Sequence, residues 1–208
     1  MIARLKKNIG ELVSGKVGNL VFYHLNGESY VRAAPVRKKN SWTPEQLMHR
    51  QRFGMVSNLW KQFKSAQLTP IWNMGAQKMN GYAQFMKANM PAFAMDGSLI
   101  DPKMLQLSIG TLHLPVQLKA ERIAAEPATI AVSWQNDLHL KGERLTDELM
   151  IVSYADGKYS HVTASGIVRG AKNGSFALPQ LPIAVTHVYL FMASRDREEY
   201  SESVCVEI

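Results

Sequence analysis

Hydrophobic and polar positions near the start of the chain follow the pattern of a β-hairpin. Residues 17–25 and 28–34 are two β-compatible runs that are separated by an Asn-Gly dipeptide. Such a dipeptide between two strands is the strongest short signal for a type I′ turn, because both residues tolerate positive φ. The sequence therefore predicts a hairpin that sets Tyr23 opposite Tyr30.

A helical period follows the hairpin. Thr43 can cap a helix, Pro44 suits its first turn, and Gln46 completes a capping box. This helix is expected to run to about residue 66, and a second helical segment begins after Thr69 and Pro70. Apolar residues at helical spacing mark one stripe on each segment: Val56, Leu59, Trp60 and Phe63 on the first, extended by Phe53, and Trp72, Met79 and Met86 on the second.

The two stripes predict an antiparallel helical pair. Their Met and aromatic residues indicate either core packing or an adaptable binding groove. Since an isolated hairpin is only marginally stable in water, we expect the hairpin to pack against these stripes.

From residue 104 onward, short β-compatible runs are separated by turn residues. The expected strands are residues 105–109, 129–134, 148–154, 161–168, 175–178, 186–193 and 203–207, with a further run at 112–118. About seven short strands in roughly 100 residues are typical of an antiparallel sandwich. The predicted fold class is α+β, with an N-terminal β-hairpin plus two-helix region followed by an antiparallel β-sandwich. The expected domains are a basic hairpin-plus-helices region, 1–103, and the β-sandwich, 104–208.

Basic residues are concentrated in the first half of the chain. The net charge is +7, and residues 1–105 hold 15 Lys and Arg against 5 Asp and Glu, whereas the remainder holds 9 against 12. A basic surface can bind nucleic acid or another polyanion by releasing counterions from phosphates, or it can be an ordinary solvated surface. The candidate polyanion-binding residues are Arg32, Arg37, Lys38, Lys39, Arg50 and Arg52.

Local motifs give no support for catalysis. Residues 10–17 match a phosphate-binding loop through Lys16, but Val17 stands where a Ser or Thr hydroxyl must meet magnesium. The six histidines are dispersed without metal-ligand spacing, and no nucleophile elbow is present. We therefore expect no enzyme activity, no cofactor and no metal site.

Signals for export or membrane insertion are also missing from the sequence. No run approaches the roughly 18 apolar residues of a membrane span, and the first residues lack the apolar core of a secretory leader. The one cysteine, Cys205, excludes an intrachain disulfide, which suits a reducing compartment. The sequence predicts a cytoplasmic protein with no membrane partner.

Several segments of the second half have the pattern of packing residues in a known type of module. Residues 132–134 look like an early strand with a core Trp, and residues 149–154 like the next strand with its core Tyr. Residues 176–193 look like the penultimate strand with its approach, and residues 200–204 like the closing strand. Together they resemble a fibronectin type III or related immunoglobulin-like sandwich, which implies a scaffold that serves many functions.

A second resemblance covers most of the chain. It lies in residues 15–20, in residues 30–32 with the following Pro35, in residues 46–53, and in residues 80–90. These segments resemble a domain-of-unknown-function family of Bacteroides-type bacteria. The resemblance implies a hairpin and helices joined to a β-sandwich, and it implies no activity and no catalytic residues.

Fold and composition together indicate a function without catalysis. We expect a non-enzymatic interaction or structural protein, part of a bacterial or phage-like assembly, whose partner is an unknown protein or a second copy of the chain. The alternative is a nucleic-acid-binding protein that uses its basic N-terminal half, where arginines would grip phosphates and exposed Tyr or Trp would stack on bases.

Overall fold

The computed structural model of the chain describes residues 2–4, 14–36, 42–65, 68–75, 79–137 and 139–208. The chain divides into two compact units, which we call unit 1 (Met1–Thr43) and unit 2 (Pro44–Ile208). Helices and antiparallel sheets are both present, so the predicted α+β class is confirmed.

Unit 1 contains an antiparallel sheet of four strands. The strands are β1 Ile2–Arg4, β2 Gly15–Val17, β3 Leu20–Leu25 and β4 Glu28–Ala33, in the spatial order β1-β4-β3-β2. The predicted hairpin is confirmed, since Asn26 and Gly27 join β3 to β4 with φ angles of 51° and 78°. Tyr23 pairs with Tyr30 as predicted. Because the turn fixes this register, it also decides which side chains share a face of the sheet.

Unit 2 begins with helices. They are α1 Pro44–Ser65, α2 Thr69–Gly75 and α3 Gly81–Asn89. The bounds of α1 confirm the predicted first helix, but the second predicted segment is divided into α2 and α3. Asn80 starts α3, because its side-chain oxygen accepts a hydrogen bond from the Ala83 backbone N–H at 2.7 Å and so supplies an acceptor to the first helical turn. Among the described residues, no helix has both the length and the apolar character needed to cross a membrane.

Two antiparallel sheets follow the helices in unit 2. Their strands are β5 Val116–Ile123, β6 Glu126–Gln135, β7 Glu148–Ala155, β8 Lys158–Tyr159, β9 Thr163–Val168, β10 Asn173–Ala177, β11 His187–Ala193 and β12 Val204–Glu207. The first sheet has the order β10-β6-β5. The second has the order β12-β11-β7-β8, and β9 also pairs with β7. Apart from β5 and β8, each strand lies within a few residues of a predicted run.

The two sheets bury a hydrophobic core between them. Val132 and Trp134 of β6 pack in this core with Leu149 and Ile151 of β7. Trp134 is 5% exposed, and its indole N–H donates a hydrogen bond to the backbone carbonyl of Arg169 at 3.1 Å. The tryptophan that was expected inside the sandwich therefore lies there, with its one polar group satisfied.

The helices cover the opposite face of the second sheet. Met150 and Tyr154 of β7, and Tyr189 and Phe191 of β11, belong to a second core that they share with the helices. Alternate residues of β7 point into the two cores, as the pleat of a strand requires. Unit 2 therefore has three layers: the helices, the second sheet and the first sheet.

Phe85 of α3 lies at the centre of the aromatic packing between the helices. The ring centroids of Trp60, Phe63 and Trp72 lie 5.0, 5.3 and 5.2 Å from that of Phe85. Tilted and edge-on ring pairs at these distances add to the stability that burial provides. The apolar stripes thus form core packing, with the exception of Phe53 and Met79, which are 45% and 41% exposed.

The compact units do not follow the predicted domain boundary. The sequence predicted a division between residues 103 and 104, whereas the structure divides the chain after Thr43. The physical reason is the core that the helices share with β7 and β11. A stripe of apolar residues indicates that a helix is covered, but it does not indicate which element covers it.

The segment 105–109 is a connection rather than the predicted strand. Leu105 and Leu107 are buried, but polar side chains satisfy this backbone instead of a neighbouring strand. The Leu107 N–H donates to the Ser203 hydroxyl at 2.8 Å, and the Leu107 carbonyl accepts from the Trp72 indole at 3.0 Å. Buried backbone groups need a partner, and side chains supply it here.

Candidate functional site

One face of the unit 1 sheet is apolar except near the β3–β4 turn, where His24 and Ser29 are hydrogen-bonded to each other at 3.0 Å, and we call its apolar part the apolar face. It is defined by residues that pair across the strands: Val17 with Leu20, Leu20 with Ala33, and Phe22 with Val31. Val17 is 59% exposed and Leu20 46% exposed, while Phe22 and Val31 are half-buried. From β2 to β4 no side chain of this sheet is fully buried.

The opposite face carries cations and aromatic rings, and we call it the aromatic face. Lys16, Val21 and Arg32 form one row across β2, β3 and β4, and Tyr23 and Tyr30 form the next row. Neighbouring rows on one face are roughly 7 Å apart, because every second residue of a strand points to that side. β3 and β4 are the inner strands of the sheet, so the two tyrosines lie near its centre.

The tyrosines and Arg32 contact one another on this face. The ring centroids of Tyr23 and Tyr30 are 5.6 Å apart and the ring planes differ by 20°, which makes them a stacked pair. The guanidinium carbon of Arg32 lies 5.7 Å from the centroid of the Tyr23 ring, within the range of a cation–π interaction. The Tyr30 hydroxyl donates to a carboxylate oxygen of Glu28 at 2.8 Å. The sheet thus brings three planar side chains together on one surface.

Unit 1 carries nearly all of the excess positive charge. Residues 1–43 contain 8 Lys and Arg against 2 Asp and Glu, a net charge of +6, whereas residues 44–208 contain 16 against 15, a net charge of +1. Any attraction for polyanions is therefore concentrated in unit 1.

The structure divides the predicted polyanion-binding residues between the two units. Arg32 lies on β4 and belongs to the aromatic face. Arg50 and Arg52 lie on α1 in unit 2, where a separation of two residues turns their side chains about 200° apart around the helix axis. The other three predicted residues lie outside the described residues: Arg37, Lys38 and Lys39.

Arg52 makes a structural contact within unit 2. Its Nε and one terminal nitrogen both donate to the Met90 carbonyl, at 2.9 and 2.5 Å. This carbonyl follows the last residue of α3, where helical carbonyls lack donors within the helix. Arg52 therefore connects α1 to the end of α3, and a basic residue at a helix C-terminus is also electrostatically favourable.

A cleft of about 550 Å³ in unit 2 is lined by charged side chains. Some of these charges form ion pairs: Arg144 contacts the carboxylates of Glu199 and Asp147, and Asp147 lies 3.4 Å from the guanidinium of Arg169. Burial raises the pKa of the Asp147 carboxyl, and the two arginines oppose this increase. These ion pairs join neighbouring segments of unit 2.

A second groove in unit 2, of about 770 Å³, lies beside α2 and is mainly apolar. Ile71 and Met74 of α2, Met150 of β7 and Val162 contribute to its lining. Its ionisable side chains are Lys64 and Tyr200, a combination that provides neither a carboxylate nor an imidazole for proton transfer.

The described residues offer neither a metal-ligand cluster nor a reactive thiol. In the described part of the chain, no three His, Cys, Asp or Glu side chains are grouped as metal ligands. Burial raises the pKa of the Cys205 thiol to about 11, which keeps the thiol protonated at neutral pH and weakens it as a nucleophile.

Lys16, Tyr23 and Tyr30 are not among the predicted site residues, although the sequence contains the signal for the tyrosines. Tyr30 and Arg32 are two residues apart on one strand, and a period of two places them on the same face. The register that the Asn-Gly turn sets then adds Tyr23 to this face.

Comparison of the chain with protein-family models, with curated proteins and with solved structures found no match. The resemblances to the Bacteroides-type family and to fibronectin type III modules therefore stay predictions.

Proposed function

We propose that this is a non-enzymatic interaction protein, in which the apolar face of unit 1 docks on a protein partner. The observation that carries the proposal is the exposure of Val17 and Leu20, beside the half-buried Phe22 and Val31, on one face of a regular sheet. Contiguous apolar surface of this kind marks interaction sites in soluble proteins.

The energetics of the apolar face favour docking. Antiparallel sheets usually pack one face against a core and leave the other in water. Removal of apolar surface from water favours association, and Val17 and Leu20 keep about half of their surface exposed. The charges of the aromatic face make it the less favourable side for an apolar partner.

Unit 2 is suited to the role of scaffold. β5, β6 and β10 form one sheet, whereas β7, β11 and β12 lie in the other. This division follows that of strands A, B and E and strands C, F and G in immunoglobulin-like sandwiches, and it supports the proposed likeness to fibronectin type III modules. A rigid module of this kind fits a spacer or docking face within a bacterial or phage-like assembly.

Site-specific photo-crosslinking tests the proposal. A benzophenone amino acid would replace Phe22 on the apolar face, and in a matched control it would replace Lys119, which is exposed on β5. Purified protein and native-host cells would be irradiated and the products identified by mass spectrometry. We expect one defined product at the Phe22 position, either with a second copy of the chain or with one host protein, and none at Lys119.

Two results would contradict this function. Equal, diffuse labelling at both positions would show that the apolar face has no preferred partner. Crosslinks from the Phe22 position that stay within the same chain would show that the protein covers this face itself.

Nucleic-acid binding is a second candidate function, and one observation favours it specifically. Arg32 lies against the Tyr23 ring on the aromatic face, within the unit that carries a net charge of +6. Binding of labelled nucleic acid should weaken as salt is raised, because phosphate contacts release counterions. Absence of salt-dependent binding to single strands and duplexes alike would exclude this candidate.

A further inference from the structure

We propose that the aromatic face is a binding site for single-stranded nucleic acid, where bases stack on Tyr23 and Tyr30 while phosphates contact Arg32 and Lys16. This inference rests on the second candidate function, nucleic-acid binding, and adds to it the class of ligand and the surface that binds it.

The form of the surface favours unpaired bases. The stacked tyrosines lie on the inner strands of an open antiparallel sheet. Bases within a duplex already stack on their neighbours, whereas those of a single strand can be spread over a sheet and stacked on aromatic side chains. Stacking tolerates any base because every base has a π face, so the site is expected to have little sequence preference.

The positions of the cations favour a nucleic acid over an apolar or neutral ligand. Arg32 and Lys16 lie in the row beside the tyrosines, at a spacing of roughly 7 Å. A planar guanidinium can contact a phosphate and stack on a ring at the same time, and the Arg32 guanidinium already lies over the Tyr23 ring. A ligand that carries both rings and phosphates matches this combination.

Glu28 lies at the turn end of the site. Its carboxylate accepts a hydrogen bond from the Tyr30 hydroxyl, and it pairs with Leu25 beside the turn. Arg32 and Lys16 lie on the other side of the tyrosines, so the nucleic-acid backbone is expected to pass on the side of these two cations.

Fluorescence anisotropy with the full chain tests this site. The probes would be labelled RNA and single-stranded DNA of about 12 nucleotides, within the site size of single-strand-binding folds, and a DNA duplex of the same sequence. We expect tighter binding to the single strands than to the duplex. Tighter binding of the RNA probe would identify RNA as the ligand, and tighter binding of the single-stranded DNA probe would identify DNA.

Paired substitutions separate stacking from charge. Tyr23→Leu and Tyr30→Leu should each weaken single-strand binding roughly tenfold, because each removes one stacking partner, whereas Tyr23→Phe and Tyr30→Phe keep the ring and should bind as the natural protein does. Arg32→Gln should reduce the slope of log affinity against log salt by about one, as the loss of one phosphate contact does. Thermal unfolding of each variant checks that unit 1 remains folded.

The possible outcomes distinguish general nucleic-acid binding from base stacking on the aromatic face. Equal salt-dependent binding of single strands and duplex, unaffected by either Tyr→Leu change, would overturn the stacking site and leave general polyanion binding in place. Equal loss in the Tyr→Leu and Tyr→Phe variants would also overturn stacking, because the ring would then be irrelevant. Absence of salt-dependent binding to every probe would overturn both nucleic-acid binding and the stacking site.

Discussion

Arg169 and Asp147 form an ion pair inside unit 2. Both residues are 2% exposed, and the guanidinium donates to the Asp147 carboxylate at 3.4 Å and also to the backbone carbonyl of His113. Burial lowers the pKa of Arg169, and Asp147 opposes that decrease. Each of the two buried charges is therefore stabilised by the other, and removal of one leaves its partner buried with less compensation.

Replacement of Arg169 by Met should destabilise unit 2 by about 3–5 kcal/mol, because it leaves the carboxylate of Asp147 buried with less compensation. Urea unfolding at pH 7 would measure the free energy of unfolding. Lys103→Met is the matched control, since Lys103 and its partner Glu207 are both well exposed, and it should change stability little. A similar, small effect of both substitutions would contradict the structural role of Arg169.

Cys205 on β12 makes the stability of the fold sensitive to alkaline pH. Burial raises the pKa of its thiol from 9.0 to about 11, although a hydrogen bond with Tyr189 acts in the opposite direction. The unfolded chain therefore releases this proton at lower pH than the folded chain does. Because the unfolded state then binds fewer protons, the free energy of unfolding falls as pH rises from about 9 to 11.

Cys205→Val should remove this part of the alkaline loss of stability, because valine has no proton to release. Urea unfolding at pH 8 and at pH 11 would measure the difference for the natural protein and the variant. Burial also raises the pKa of the Tyr159 hydroxyl, so some alkaline loss should remain in the variant. An unchanged decline between the two pH values would refute the contribution of the thiol.

At the scale of elements, the turn between β3 and β4 controls which side chains make up the candidate surfaces. Gly27 has a φ of 78°, and a Cβ at this position would meet no atom within 4 Å. Any cost of a larger residue there therefore comes from the backbone conformation and not from a clash.

Gly27→Val should destabilise the hairpin by about 1–2 kcal/mol, the cost of a left-handed conformation for a residue with a Cβ. Hydrogen exchange of the amides in β3 and β4 would show this as faster opening. Asn26→Gly keeps a residue that adopts positive φ and serves as the control with little change. Equal exchange rates in both variants would show that the turn does not limit the stability of the sheet.

The elements that could be predicted from the sequence are those with local signals. Asn26 and Gly27 identified the hairpin, Pro44 with its capping box identified the start of α1, and alternating β-compatible residues identified most strands. Local signals failed for residues 105–109, where side chains such as that of Ser203 satisfy the backbone. Sequence propensity describes a strand-like backbone but not the partner that its hydrogen bonds find.

The sequence also contains a signal for the layer arrangement, which the strand predictions did not use. Residues 149–155 of β7 and 188–193 of β11 are nearly continuous apolar runs, and such runs are typical of strands covered on both faces, whereas half-exposed strands alternate. In the structure both runs are buried, and the helices cover the second face of the sheet. The aromatic face required one more step, because its rows depend on pairing between strands.

At the scale of the whole molecule, charge and core are divided between the two units. Unit 1 has the excess of cations and the exposed sheet, whereas unit 2 is nearly neutral and contains both hydrophobic cores. A stable scaffold with a separate basic sheet fits the two proposed activities, docking through the apolar face and nucleic-acid binding through the aromatic face. The two faces belong to one sheet, so a protein partner and a nucleic acid could be bound together.

The division after Thr43 leads to a prediction about fragments of the chain. Residues 44–208 should unfold in one cooperative transition when expressed alone, because they keep the helices and both sheets. Residues 104–208 should not, because without the helices the outer face of the second sheet loses its cover. Tyr189 and Phe191 are fully buried on that face, and their exposure would remove a large part of the apolar burial that stabilises the domain.

Urea unfolding followed by circular dichroism would compare the two fragments. A cooperative transition of fragment 104–208 at the same urea concentration as fragment 44–208 would show that the sandwich is independent of the helices and would restore the boundary at residues 103 and 104.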